Sequence, residues 1–207
     1  HRLILKSAVY RQSSRDIPQY ARLDGGNQWL WRMNRWRLDA ESVRDSALSV
    51  SGELDLTMGG PSDQEFFFKD DHSPIYDYSR GEAVRASRYR RGVYRFLVRS
   101  VPDPFMESLD CPDASLLTPK RNTTLTALQA LAMLNDPLML RQVESFAQRL
   151  RDLRTDLTGQ IQQAYWLAVA RAPTQKELAL LVAYTQKHGL ENFCRLLLNS
   201  NEFMFVD

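Results

Sequence analysis

Lysine is nearly missing from this 207-residue chain: of its 27 basic residues only five are Lys and 22 are Arg. Net charge is also missing, because 25 Asp and Glu leave a formal +2. That balance weakens any reading of the whole surface as a polyanion binder. Cysteine is scarce: Cys111 and Cys194 stand 83 positions apart, and neither belongs to a paired metal-ligand spacing such as C-x-x-C. Two buried free thiols are the expectation, with a single disulfide left open for an oxidising compartment. Long apolar runs are absent as well. The longest, Ala164–Ala170 and Leu178–Tyr184, are seven residues each, against the roughly 20 that a membrane-spanning helix needs. There is no Walker loop, G-x-G-x-x-G, G-x-S-x-G or H-E-x-x-H, and no nucleophile has a His in a recognisable arrangement. Enzymatic activity therefore has no support in the motifs.

What is present describes a helical protein. With 43% apolar residues, a chain of this length buries roughly 70% of its unfolded surface, enough for one core. The chain opens at His1, and its first residues, HRLILKSAVYRQSS, place Leu3, Ile4 and Ala8 on one helical face. It reads as a piece of a longer protein, so the lack of a signal peptide carries no weight. A helix over 39–51 is predicted by Asp39 as N-cap, by the stripe Ala40, Val43, Ala47, Val50, and by Gly52 as C-terminal cap. Between these helices Trp29, Trp31 and Trp36 alternate with Arg32, Arg35 and Arg37, as either an anchor or an exposed binding strip.

From Gly59 to about Arg91 glycines, prolines and charges break every period, which predicts a long irregular excursion. Residues 90–99, RRGVYRFLVR, read as a short buried strand or a helical turn, the strand preferred. Pro102, Pro104 and Pro112 then predict an extended or turning connection. The remainder is regular. Thr126 to Gln129 forms a capping box for a helix over 126–134 with Leu128, Leu131 and Ala132 inward. Asp136-Pro137 opens a helix to about Leu153, burying Leu140, Val143, Phe146, Ala147 and Leu150. Helices over about 158–171, from the Thr174–Glu177 capping box to Gly189, and over 190–199 complete an antiparallel set. The expected fold is mainly α: an irregular helical bundle with a long loop-rich insertion and at most one short strand pair. It forms a single domain, with N-terminal helices in 1–58, an irregular Arg- and Pro-rich region in 59–125 and a C-terminal bundle in 126–207.

Two constellations stand out. Asp70, Asp71 and His72 resemble metal ligands, but adjacent loop residues rarely converge on one ion, so a solvated acidic loop is preferred and no metal site is expected. Arg85, Arg88, Arg90, Arg91, Arg95 and Arg99 form a run without an acid, interleaved with Tyr89, Tyr94 and Phe96. Arginine beside aromatics suits an anionic ligand, and rigid guanidinium forks also suit internal carboxylate pairs. The internal network is preferred overall. Trp29, Trp31, Trp36, Arg88, Arg91 and Arg95 are the candidates for an outside ligand, a glycan or anionic polymer, with nucleic acid disfavoured.

Several phrases in order resemble one family: HRLILKSAVYRQSS, WRMNRWRLDAESVRDSALSVSGELD, GGPS, RRGVYRFLVRSVPDPFMESLDCPD, TALQALAMLND, AYWLAVARAPTQKEL and LLLNSNEFMFVD. Together they look like successive motifs of the planctomycete PSD-one domain, a C-terminal domain of unknown function in large exported bacterial proteins. The resemblance implies upstream domains in the same polypeptide, often a cytochrome c-like one, and a periplasmic or extracellular location. It implies no cofactor here, since C-x-x-C-H is absent. Its motif positions fall on Arg37, Asp39, Glu41, Arg44, Asp45, Asp110, Asp113, Arg121, Gln129 and Asn135, which are expected to form a structural polar network with Arg37, Arg44 and Arg121 paired to carboxylates. Where family members have a Cys ahead of the basic residue and a Pro before LQAL, this chain has Leu116 or Leu117 and Ala127, so a role resting on that Cys does not carry over. A non-catalytic accessory or interaction domain is the leading expectation. The alternative is a substrate-binding or catalytic half-site for extracellular, possibly sulfated, polysaccharide, shared with the upstream domain.

Overall fold

The computed structural model describes residues 1–81 and 89–206. Its elements in chain order are α1 (Arg2–Lys6), α2 (Pro18–Leu23), β1 (Trp36–Arg37), α3 (Ala40–Ser51), β2 (Leu54–Asp55), β3 (Phe67–Lys69), β4 (Ile75–Asp77), β5 (Tyr89–Arg90), α4 (Pro104–Ser108), α5 (Ala127–Asn135), α6 (Pro137–Leu153), α7 (Leu157–Val169), α8 (Gln175–His188), α9 (Leu190–Leu198), α10 (Asn201–Met204) and β6 (Phe205–Val206). The chain is mainly α. Its strands form three two-stranded pairs rather than at most one: β1 with β6 antiparallel, β2 with β5 parallel and β3 with β4 antiparallel.

The long helix α6 is the centre of the fold and packs against α3, α7 and α9. The reason is its stripe: Met139, Val143, Phe146, Ala147 and Leu150 recur at helical spacing and are fully or almost fully buried. Into that stripe α3 places Ala40, Val43, Ala47 and Val50, while α9 places Phe193, Cys194 and Leu197. Asp39 caps α3 by accepting from the Ser42 amide, and Gly52 closes it at φ +88°, a left-handed conformation in which a side chain would be strained. The capping boxes at Thr126 and Thr174 are both formed. Both cysteines are free; burial pushes both thiols well above their ordinary range.

Four local expectations are corrected. The opening segment yields only α1, which buries nothing, because the chain turns at Ser7, whose hydroxyl donates to the Ile4 carbonyl. The preferred strand over 90–99 shrinks to Tyr89–Arg90, since Gly92–Tyr94 forms a 3-10 turn whose Gly92 amide is held by Asp45. The proline-rich connection contains α4, with Asp103 as N-cap and Pro104 at the first helical position. Leu128 and Leu131 face outward, at 64% and 55% exposure, while Gln129 and Met133 are buried; Leu196 likewise stays half exposed.

A surface network ties the end of the bundle together. Arg171 pairs bidentately with Glu177 at 2.8 and 3.0 Å and also with Glu202. The bond from Arg171, with the Thr174 amide, holds the Glu177 carboxyl at about 2, below the ordinary 4.5. As pH falls, the unfolded chain therefore takes up this proton first. The contribution of Glu177 is complete above pH 4.5 and is lost as pH approaches 2. Glu177→Gln keeps the capping box but not the charge, and is expected to make the acid-induced loss of stability shallower in circular dichroism. A pH profile parallel to that of the native chain would refute the assignment.

Candidate functional site

Among the described residues the most buried charge lies on α3. Arg44 is 1% exposed, on the flank of the apolar stripe, and its guanidinium leaves the helix toward the irregular region. It donates to Asp45 at 2.7 Å and to the Arg90 carbonyl at 3.0 Å, pairs with Glu65, and sits 5.7 Å from the Tyr89 ring centroid. The second oxygen of Glu65 accepts from Arg95 Nε, and the other end of Arg95 pairs with Asp103, the cap of α4. A relay Asp45–Arg44–Glu65–Arg95–Asp103 thus crosses from α3 through the irregular region to α4. Taking such charges from water costs much of what their attraction returns, so the relay serves mainly to specify where the irregular region sits.

Two further clusters surround α3. Arg37 donates to the carbonyls of Leu109 and Thr124 and pairs with Asp110 at 3.1 Å. Asp110, left-handed at φ +63°, also accepts from the amide and hydroxyl of Thr124 and from Gln129. Those bonds hold its carboxyl below the usual range against the opposing push of burial. Arg121 grips Glu41 bidentately at 2.6 and 2.9 Å, with Asp39 at 3.7 Å, and that bond holds Glu41 low. Asp113 joins neither cluster and turns back onto Ser115 at 2.7 Å. Asn135 joins the bundle instead, accepting from Arg195 at 2.8 Å.

The ligand-binding candidates do not converge. Trp29 and Trp36 are 77% and 63% exposed. Trp31 donates to the Asp24 carbonyl and lies against Tyr20 and Arg32. Arg95 is consumed by the buried relay, which corrects its reading as a residue facing an outside ligand. Arg90, from the same run, donates to the carbonyls of Thr57, Gly59 and Pro61 and stacks on Tyr94. Arg91 is exposed and meets the Met58 sulfur at 3.9 Å. Arg85 and Arg88 lie outside the described residues. In the acidic loop Asp71 pairs with Lys69 at 3.0 Å, and among the described residues no group of three metal-ligand types converges.

Several concavities flank the relay. A cavity of about 230 Å3 is lined by Glu65, Asp103, Asp136, Tyr78, Tyr89 and Phe105. Burial pushes Asp103 and Asp136 above the ordinary carboxylate range and Tyr78 to about 12. Both Glu65 and Asp103 are nonetheless locked to arginines, and Asp136 caps α6 through the Leu138 amide, so these carboxylates are structural partners first. On the other side of α3 lies an open groove of about 680 Å3, bounded by Glu41, Ser46, Ser49, Arg91, Val93 and Arg121. No Trp lines either of these two.

Glu65 is the partner that sequence reasoning missed, whereas Asp103 stands among the acids within reach of the basic run, and its pairing with Arg95 fits the internal-network reading. Asp103 carried a usable signal, Asp-Pro at a helix start; Glu65, within an aperiodic stretch, carried none. Outward-facing apolar side chains complete the picture. Helices α1 and α2 bury no residue, yet this N-terminal region exposes Leu3, Leu23, Trp29 and Leu30, and α5 exposes Leu128 and Leu131.

These features define a mainly α domain held by arginine–carboxylate networks, with apolar helix faces left open. The family model PSD1, "Protein of unknown function (DUF1553)", matches residues 1–185, and the chain belongs to that family. No curated protein and no solved structure matches it.

Proposed function

We propose that this is a non-catalytic accessory domain that docks onto other domains of its own exported, periplasmic or extracellular polypeptide. One observation carries the reading: α1 and α2 bury no residue, although their segment presents Leu3 at 89%, Leu23 at 76% and Trp29 at 77% exposure. Apolar side chains exposed in this way gain free energy by being covered, at about 25 cal/mol per Å2 removed from water. The docking face and the buried relay divide the labour: the relay keeps the irregular region in one arrangement, and the open helices meet the neighbour. Hydrogen–deuterium exchange checks this directly. The amides of residues 2–36 are expected to exchange freely in the 207-residue chain and to be protected in the multidomain polypeptide. Equal exchange in the two would sink the docking reading.

A further inference from the structure

The groove on the outer side of α3 carries an inference independent of the docking face. Its first wall is the helix surface opposite the core stripe, where Ser46 and Ser49 stand one turn apart. Among the described residues neither hydroxyl has a hydrogen-bond partner, whereas Ser51 and Ser108 bond to backbone carbonyls. The facing wall is the Arg91–Val93 turn. It is fixed against α3 because the Gly92 amide donates to both oxygens of Asp45 at 2.8 Å. The approach is close: a Cβ at position 92 would stand 3.2 Å from Glu41 Cβ, so a side chain there would push the helix by a few tenths of an ångström. The backbone that carries Arg91 is therefore held in place by the fold, although its side chain is exposed.

Charge distinguishes Arg91 from its neighbours. On the α3 side, Asp39 and Glu41 share Arg121, and Asp45 shares Arg44 with Glu65. Arg95, also at the groove, is saturated by Glu65 and Asp103. Arg91 has no carboxylate partner among the described residues; its contact is the Met58 sulfur. The groove thus offers one uncompensated guanidinium, two free hydroxyls about a helical turn apart, and an apolar lip from Val93 and Leu97, which are 76% and 58% exposed. Its volume, about 680 Å3, lies within the ~300–1,000 Å3 range of small-molecule sites.

We propose that this groove binds a small polyhydroxylated anion, a sugar ring bearing one sulfate, phosphate or carboxylate. The anionic group pairs with Arg91 through charge-assisted hydrogen bonds. Ring hydroxyls meet Ser46 and Ser49, and a C–H face of the ring covers Val93.

The test is isothermal titration calorimetry of the whole chain with N-acetylglucosamine 6-sulfate, glucose 6-phosphate, glucuronate and glucose. Saturable binding is expected for at least one charged sugar and not for glucose, and the tightest of the three identifies the anion. Arg91→Gln alters an exposed side chain, so circular dichroism should be unchanged while affinity falls about tenfold or more. Ser46→Leu, which fills the groove without touching the charge, is expected to abolish binding as well. The proposal is overturned if no charged sugar binds at millimolar concentration, if glucose binds equally well, or if Arg91→Gln or Ser46→Leu leaves affinity unchanged. Failure here leaves the exchange protection of residues 2–36 untouched, so the two readings fail separately.

Discussion

Replacing Arg44 with Met is expected to destabilise the chain by about 3–5 kcal/mol, the cost of removing one side of a buried ion-pair network. The side chain is 1% exposed and bonds to Asp45, to Glu65 and to the Arg90 carbonyl. Met fills the aliphatic volume but provides no donor, so Glu65 loses one of its guanidinium partners and the Arg90 carbonyl loses its bond. Lysine is expected to recover little, because one ammonium cannot reproduce a planar fork that spans three acceptors. Urea denaturation followed by circular dichroism measures the loss. Hydrogen exchange should show the 53–66 segment opening before α6. A loss below about 1 kcal/mol would mean that Glu65 rehydrates freely and that the relay does not hold the irregular region.

Phe146→Ala carries the second large effect, a loss of about 3–5 kcal/mol. Phe146 is fully buried at the centre of α6, the helix against which α3, α7 and α9 all pack. Its removal leaves a cavity that several helices would have to move together to close. The informative comparison is Leu128→Ala and Leu131→Ala. By periodicity these leucines look as buried as Phe146, but they face outward, and each is expected to change stability by no more than about 0.5 kcal/mol. Thermal denaturation of the three variants decides. A loss above about 2 kcal/mol from either leucine would mean that α5 turns its leucines inward.

The reversal of α5 shows where periodicity stops being informative. Its leucines repeat at helical spacing, which marks a face but not what covers it. The side chain that goes inward is Gln129, because its amide reaches Asp110 and the Thr124 hydroxyl while its carbonyl completes the Thr126 capping box. A polar residue with every group satisfied is cheap to bury, and this one fixes the rotation of the helix. The stripe of α6 was legible at Val143, Phe146, Ala147 and Leu150, but at its start Met139 is buried and Leu140 is 37% exposed, the reverse of the expectation.

The candidate polar residues were legible unevenly. Arg37, Arg44 and Arg121 could be picked out as pairing partners from their place among acids, and Asp45 is the immediate neighbour of Arg44, but the other acids that Arg44 and Arg95 meet are 21, 30 and 8 positions away in sequence. No local pattern encodes such pairs. Arg95 and Arg91 illustrate the limit, since they share one basic run and one composition. The first is buried between two carboxylates and the second faces an open groove, because the 3-10 turn at Gly92–Tyr94 rotates one inward and the other out.

Residue order alone was enough for the mainly α class, the caps at Asp39, Gly52, Thr126, Asp136 and Thr174, the extent of α6 and α8, and the lack of a helix long and apolar enough to cross a membrane. Those properties arise from interactions within a few residues, which local spacing records. Three others depended on the folded chain: which arginines are buried and which is left without a carboxylate, which way α5 faces, and that the Trp strip and the groove on α3 are separate surfaces. Each rests on groups brought together from distant parts of the chain, whose desolvation and pairing energies exist only once α3, the irregular region and α4 have met.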